Sequence, residues 1–180
     1  MRARNTRWCA IYNRPESRSD NIGNALNYFR SGVTAVAVLF SAAALGHGDV
    51  TPHPIDTKGL KALGSAWLPE NPYRGDKEAF AIGAEGYLHN CAGCHGLNAV
   101  TGGVAPDLLL GSKDCLGMSG SSQAACLKDS DDYFKERVLK GKIINGKVNM
   151  PAYESVFTQE AVWALKTYID TRTEQAAKGN

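Results

Sequence analysis

Two cysteines three positions apart, with a histidine directly after the second, stand in the middle of this 180-residue chain: Cys91-Ala92-Gly93-Cys94-His95. Thiols at this spacing can reach the two vinyl groups along one edge of a porphyrin and close thioether bonds, while the adjacent imidazole falls beneath the iron. The motif therefore predicts covalent attachment of one c-type haem, with Cys91 and Cys94 as the anchors and His95 as the proximal ligand. Paired cysteines serve two other chemistries. A redox dithiol of the thioredoxin type needs a βαβ setting, which the flanking sequence lacks. A structural zinc site needs a second close pair of ligands, and Cys115 and Cys126 are too far apart to form a second C-x-x-C.

An iron held by one histidine has a sixth position to fill. The methionines are Met1, Met118 and Met150. Met1 lies in a basic leader. Met150 sits in Asn149-Met150-Pro151, read here as a loop ahead of the last helix, where the proline restrains the residue before it. Its thioether is a soft ligand that favours ferrous iron and raises the reduction potential. Met150 is thus the expected sixth ligand, with Met118, among glycines and serines, as the rival. On the proximal side, a metal-bound histidine donates its other ring N–H to an acceptor that fixes its orientation. The Pro106 carbonyl, in Thr101-Gly102-Gly103-Val104-Ala105-Pro106-Asp107-Leu108, is the candidate acceptor. His47, His53 and His89 are read as surface or packing residues.

These ligands need elements to position them. A helix is expected from about Asp76 to Asn90, with Asp76 as N-cap and Phe80, Ala84, Tyr87 and Leu88 at helical spacing. Residues 96–130 read as mostly loop. A second helix is expected from about Ser130 or Asp131 to Leu139, and a last one from about Thr158, where Thr158-Gln159-Glu160-Ala161 offers a cap and an acidic first turn. Val162, Leu165, Tyr168 and Ile169 supply the apolar face of that last helix. No internal repeat and no run of strands is visible, so the fold class is mainly α.

The chain is 43% hydrophobic and 21% charged, ordinary for a globular protein. Its formal charge of +2 is unevenly spread. Residues 1–46 hold six arginines and two acids, leaving 14 basic against 16 acidic residues in the rest. A mildly acidic globular part offers no basic face to a nucleic acid. The basic leader runs into an apolar stretch, Gly32 to Leu45, too short to span a bilayer comfortably, followed by Ala44-Leu45-Gly46. That pattern predicts a signal peptide over residues 1–46, cleaved near Gly46/His47, with a retained membrane anchor as the alternative. Residues 47–75, rich in Pro and Gly, read as an extended arm packed on a domain over 76–173, and 174–180 as a frayed tail.

Taken together, these residues resemble the class I monohaem cytochromes c. The resemblance runs from about Asp76 to Arg172 and rests on Gly83 and Tyr87, the Cys91–His95 motif, Pro106, Met150-Pro151 and the Leu165/Tyr168 face of the last helix. It implies the cytochrome c fold, helices packed around one covalently bound haem c, with the first and last helices crossing where Gly83 lets Leu165 or Tyr168 approach. A narrower resemblance is carried by Gly46-His47-Gly48-Asp49-Val50-Thr51-Pro52, Asp56-Thr57-Lys58-Gly59-Leu60 and Asn71-Pro72-Tyr73-Arg74. Asp114-Cys115, Cys126, Asp131-Asp132-Tyr133 and Gln159-Glu160-Ala161-Val162-Trp163 add to it. These segments are similar to the soluble periplasmic cytochromes c that accept electrons from quinoprotein (PQQ-dependent) alcohol dehydrogenases. This implies a one-electron carrier, not an enzyme, that takes electrons from such a dehydrogenase and passes them to a terminal oxidase or another cytochrome, without stable membrane insertion after cleavage.

Setting aside the haem cysteines, and Cys9 in the leader, Cys115 and Cys126 remain. In an exported domain they are expected to pair as a disulfide, two free thiols being the alternative. The rival functional readings are a peroxidase-like haem enzyme, which requires an open or labile sixth position, and a haem subunit of a membrane-bound dehydrogenase or oxidase complex, which requires an uncleaved leader. Lys140, Lys142 and Lys147, just before Met150, are candidates for steering a partner toward the haem edge.

Overall fold

The structure, a computed structural model, describes residues 51–101 and 105–179. The leader, its cleavage point and Cys9 lie outside the described residues.

Helix α1 spans Lys77–Asn90. Asp76 caps it from extended backbone, its carboxylate accepting from the N–H groups of Glu78 (2.8 Å) and Ala79 (3.0 Å). A single turn, α2 (Ala92–His95), follows after a break at Cys91. Short 3₁₀ turns at Leu97–Ala99, Leu108–Gly111 and Lys113–Gly117 lead to α3, Gly120–Lys140. An antiparallel hairpin, β1 (Lys142–Ile144) and β2 (Lys147–Met150), then precedes α4, Gln159–Ala177, whose N-cap Thr158 accepts from the Ala161 N–H at 3.3 Å. Among the described residues no helix is long and apolar enough to cross a membrane.

The α1–α4 pair is the main helix contact, and Gly83 permits it. A Cβ at Gly83 would overlap the Ala164 carbonyl oxygen and stand 2.6 Å from its carbon. The approach is therefore to the Ala164–Leu165 backbone itself. Helix α4 is buried on all sides from Ala161 to Asp170. One side carries Val162, Leu165, Tyr168 and Ile169 into a core with Tyr87, Val138, Tyr153 and Phe157. The other side sets Trp163 and Ala164 against Tyr73 and Ala79. Each such large apolar side chain contributes about 1.5–3 kcal/mol on burial.

The arm lies along this second side and is held by polar contacts to α4. The Gln159 side chain accepts from the Leu68 N–H (3.0 Å) and donates to the carbonyls of Gly64 (2.8 Å) and Ala66 (2.9 Å). Glu160 accepts from the Leu63 N–H at 2.8 Å. Arg74 enters a buried charge cluster. Its guanidinium meets Asp131 of α3 at 2.7 Å and also pairs with Asp170 of α4. Lys166 pairs with Asp170 and stands 3.5 Å from Asp131 Oδ1, a charge contact too poorly aligned to be a hydrogen bond. Ser112 donates to Asp170 (2.8 Å) and the Asn71 N–H to Asp131 (2.8 Å). Two cations balance two anions, each tied to at least two partners, as burial of charge demands.

The structure departs from the sequence reading in three places. Helix α3 begins ten residues before Ser130, within the stretch expected to be loop. Its first turns are mostly exposed and lack an apolar stripe; the link from Cys126 to Cys115 anchors them instead. The expected loop after α3 is the β1–β2 hairpin, turning at Asn145 (φ 52°) and Gly146 (φ 75°). An Asn-Gly pair with both residues in the left-handed region is the signature of a two-residue hairpin turn, and it was legible in Ile143-Ile144-Asn145-Gly146-Lys147-Val148. Finally, α4 continues past Glu174 to Ala177.

Candidate functional site

The attachment motif occupies a deliberate break in the chain. Helix α1 ends at Asn90, and Cys91 leaves helical geometry (φ −121°, ψ −35°) before α2 restarts. The N–H groups of Cys94 and His95 both turn back to the Cys91 carbonyl, at 3.1 and 2.9 Å. This tight turn presents both sulfurs and the imidazole from five consecutive residues. Gly96 closes it at φ 75°, and a side chain there would strike the Val100 carbonyl. The Tyr87 hydroxyl, raised well above the usual phenol range by burial, donates to the Gly96 carbonyl at 2.7 Å.

Cys91 and Cys94 are free thiols, not joined to each other. Burial, and then the neighbouring Cys94, pushes the Cys91 thiol up to about 12, so it is neutral at physiological pH. The His95 Nδ1 lies 2.8 Å from the Pro106 carbonyl oxygen. That carbonyl can only accept, so Nδ1 carries the proton and Nε2 is the nitrogen left for a metal. Pro106 is held at this point by the next turn, where Asp107 caps the 3₁₀ segment Leu108–Gly111 through the Leu109 N–H at 2.9 Å.

Met150 ends β2, where a register shift between Lys142 and Ile143 sets it opposite Lys142, and is partly buried. It packs on the same apolar core as Cys91 and Ala92, so the sulfur ligand candidate and the attachment turn converge on one cluster. Met118 lies elsewhere: it is 42% exposed and its N–H closes a turn on Cys115 at 3.2 Å. Cys115 and Cys126 form a disulfide linking the third 3₁₀ turn to α3. His53 and His89 are exposed, and His47 lies outside the described residues.

Two thiols free for thioether bonds, an imidazole oriented by a carbonyl and a thioether on the same core make a donor set that suits a covalently bound haem. Two further residues that the sequence reading left unassigned frame it. Tyr153 donates its hydroxyl to the Asn90 carbonyl at 2.8 Å, joining the segment after Met150 to the residue before Cys91. Gly141, at φ 66°, has the Met150–Ala152 backbone so close that a Cβ would stand 2.7 Å from the Pro151 carbonyl carbon and 2.8 Å from the Ala152 nitrogen. The aromatic residue three positions after Met150 and the glycine ending α3 were the only cues in the sequence to these roles.

Among the basic residues near Met150, Lys140 pairs with Glu136 at 3.3 Å, whereas Lys142 and Lys147 make no ion pair among the described residues. Residues 141–153 contain no acid. Asn71 and Tyr73 of the arm are buried, with Pro72 exposed between them.

Residues 78–169 match the family model described as cytochrome C oxidase, cbb3-type, subunit III. The chain is also 40% identical over 152 residues to cytochrome c550 of Pseudomonas aeruginosa, a match that covers 82% of this chain and 96% of that protein. No solved structure matches significantly. With the helical fold and the donor set described above, these matches identify the chain as a member of the cytochrome c family, an electron-transfer protein that carries covalently bound haem c.

Proposed function

We propose that the haem is bound through thioethers at Cys91 and Cys94, with His95 and Met150 as axial ligands and the Pro106 carbonyl fixing the His95 ring. The observation that carries this reading is the packing of Cys91 and Met150 on one apolar core while His95 Nδ1 is committed to Pro106. The haem supplies the one-electron chemistry; the chain supplies ligands, a low-polarity surround and a docking surface. A filled sixth position suits electron transfer and disfavours reaction with small exogenous molecules.

The carrier works in the periplasm after removal of residues 1–46. It takes electrons from a PQQ-dependent alcohol dehydrogenase and passes them toward a terminal oxidase or another cytochrome. The segments that resemble dehydrogenase-linked cytochromes c support this choice of donor, and the unpaired Lys142 and Lys147 beside Met150 support docking near that ligand.

Two experiments test the proposal. Purified ferric protein, mixed with a quinoprotein alcohol dehydrogenase and its alcohol, becomes reduced at a rate that depends on dehydrogenase concentration; no reduction by such enzymes, with ready reduction by another donor, refutes the donor assignment. Met150→Ala retains the haem, loses the long-wavelength ferric band of sulfur ligation and binds imidazole, with a lowered potential. An unchanged spectrum and potential would transfer the ligand role to another residue, Met118 first.

A further inference from the structure

Met150 is carried by a segment with few holds. Every residue of β1 and β2 before Met150 is exposed, so no packed sheet face fixes the hairpin. The backbone beyond the ligand is fixed at Tyr153. Its ring is buried and stacked on Phe157 at 4.6 Å, and its N–H donates to the Val138 carbonyl at 3.1 Å. Its hydroxyl reaches across to Asn90.

The acceptor is as informative as the donor. Asn90 is buried and immediately precedes Cys91. In a continuous helix its carbonyl would accept from the Cys94 N–H, but that N–H turns to Cys91 instead. The Tyr153 hydroxyl takes its place. The Asn90 side chain is locked as well, accepting from the His53 N–H at 2.8 Å and donating to the Gly86 carbonyl at 3.0 Å. The residue that receives the Tyr153 hydrogen bond is therefore itself held, through its side chain, to the arm and to α1.

We propose that the Tyr153–Asn90 hydrogen bond is a clamp that sets how firmly Met150 holds the haem iron, by tying the segment that carries the sulfur ligand to the turn that carries the thioether anchors and His95. The inference rests on the axial-ligand reading above. Only Pro151 and Ala152 separate Met150 from Tyr153, and Pro151 has a fixed φ. Withdrawal of the sulfur by movement of its backbone thus displaces Tyr153 or bends the chain at Ala152, leaving only side-chain rotation free of the clamp. The soft thioether binds ferric iron less well than ferrous, so a weakened clamp shows first in the oxidised protein. Tyr153 is a positioning residue, with no contact to the iron required.

The test compares haem-loaded wild type, Tyr153→Phe, Met150→Ala and Thr167→Val by imidazole titration of the ferric protein and by the ferric and ferrous spectra. Tyr153→Phe keeps the ring, the haem and the ferrous spectrum, and binds imidazole about tenfold more tightly than wild type, the size expected for one lost hydrogen bond. Thr167→Val, which removes the buried α4 hydroxyl that accepts from the Asn71 side chain of the arm and donates to the Trp163 carbonyl, controls for general loss of stability and leaves the affinity near the wild-type value. Wild-type affinity in Tyr153→Phe, or an equal gain in Thr167→Val, overturns the clamp. If Met150→Ala leaves the ferric spectrum and imidazole affinity unchanged, the axial-ligand reading fails and the clamp falls with it. If Met150→Ala opens the iron and Tyr153→Phe does not loosen it, the clamp alone fails.

Discussion

The two sides of this domain are built on different principles. Along α4 and the arm, ten consecutive residues from Ala161 to Asp170 are buried, and a balanced charge cluster links the arm, α3 and α4. Along the β1–β2 hairpin, every residue before Met150 is exposed. The first side holds its shape through many overlapping contacts, so no single weak contact decides it. The second depends on a few defined points: the close approach of Gly141, the ring of Pro151 and the hydroxyl of Tyr153. An electron carrier gains from this division. The densely packed side suits a scaffold, while the open, lightly packed edge beside the proposed Met150 ligand suits contact with partners.

The comparison is tested most severely on the α4 side. Asp131→Ala removes the only α3 anion of the cluster, leaving Arg74 and Lys166 with Asp170 alone. Breaking a buried ion pair in this way costs about 3–5 kcal/mol, and denaturant unfolding of the holoprotein would show it. A loss below 1 kcal/mol would mean that packing alone holds this side. The Cys115–Cys126 link is next. It closes a short loop, and replacing both residues by Ser costs about 2–3 kcal/mol by the chain-entropy argument, with haem content unchanged. A loss of haem in that variant would tie the insert to the site more closely than the geometry does.

On the hairpin side the expected effects are kinetic. Lys142→Gln with Lys147→Gln leaves stability within about 0.5 kcal/mol, as for other exposed substitutions. It slows bimolecular reduction by the donor a few-fold at low salt, and the difference fades as salt is raised. Adding Lys140→Gln changes little more, because Lys140 already pairs with Glu136. An unchanged low-salt rate would place docking elsewhere. The smallest effect is at Asp132, outside both regions. Hydrogen bonds from Lys128 and Lys135 hold its carboxyl down to about 2. A carboxyl pKa lowered by folding adds stability above its unfolded value, and that contribution disappears as the pH falls through the folded value. The small stability difference between wild type and Asp132→Asn is therefore constant near neutrality and shrinks between about pH 4 and pH 2.

The attachment turn was legible because its chemistry fixes both residue type and spacing, and the terminal helices because they show caps and an apolar period. Gly83 could be singled out only through the family resemblance, which suggested Leu165 or Tyr168 as its neighbours; the structure sets it against the backbone of Leu165 and of Ala164 before it. Helix α3 was half hidden. Its first ten residues are mostly exposed and include glycine and serine, so periodicity gave no sign of them, and a covalent link does the work that an apolar stripe does elsewhere. The charge cluster was not legible at all. Arg74, Asp131, Lys166 and Asp170 are common residues far apart in sequence, and only the packing of three elements brings them together. Tyr153 falls between these cases. An aromatic three residues after the proposed methionine ligand is visible, but the carbonyl it serves is exposed to it only because α1 breaks at Cys91.

The crossing at Gly83 also dictates when the protein can fold. Helix α1 precedes the haem turn, and α4, which supplies the centre of both apolar clusters, begins 69 positions after α1 ends. Closing so long a segment carries an entropy cost before any native contact is gained. No earlier element offers α1 a comparable surface. A growing chain that has reached only the hairpin therefore lacks the surface that covers α1, and the α1–α4 contact cannot close until the segment around Leu165 has been made. Synthesis order thus makes the haem turn among the first parts of the domain to exist and its covering helix the last, so the fixed shape waits on α4.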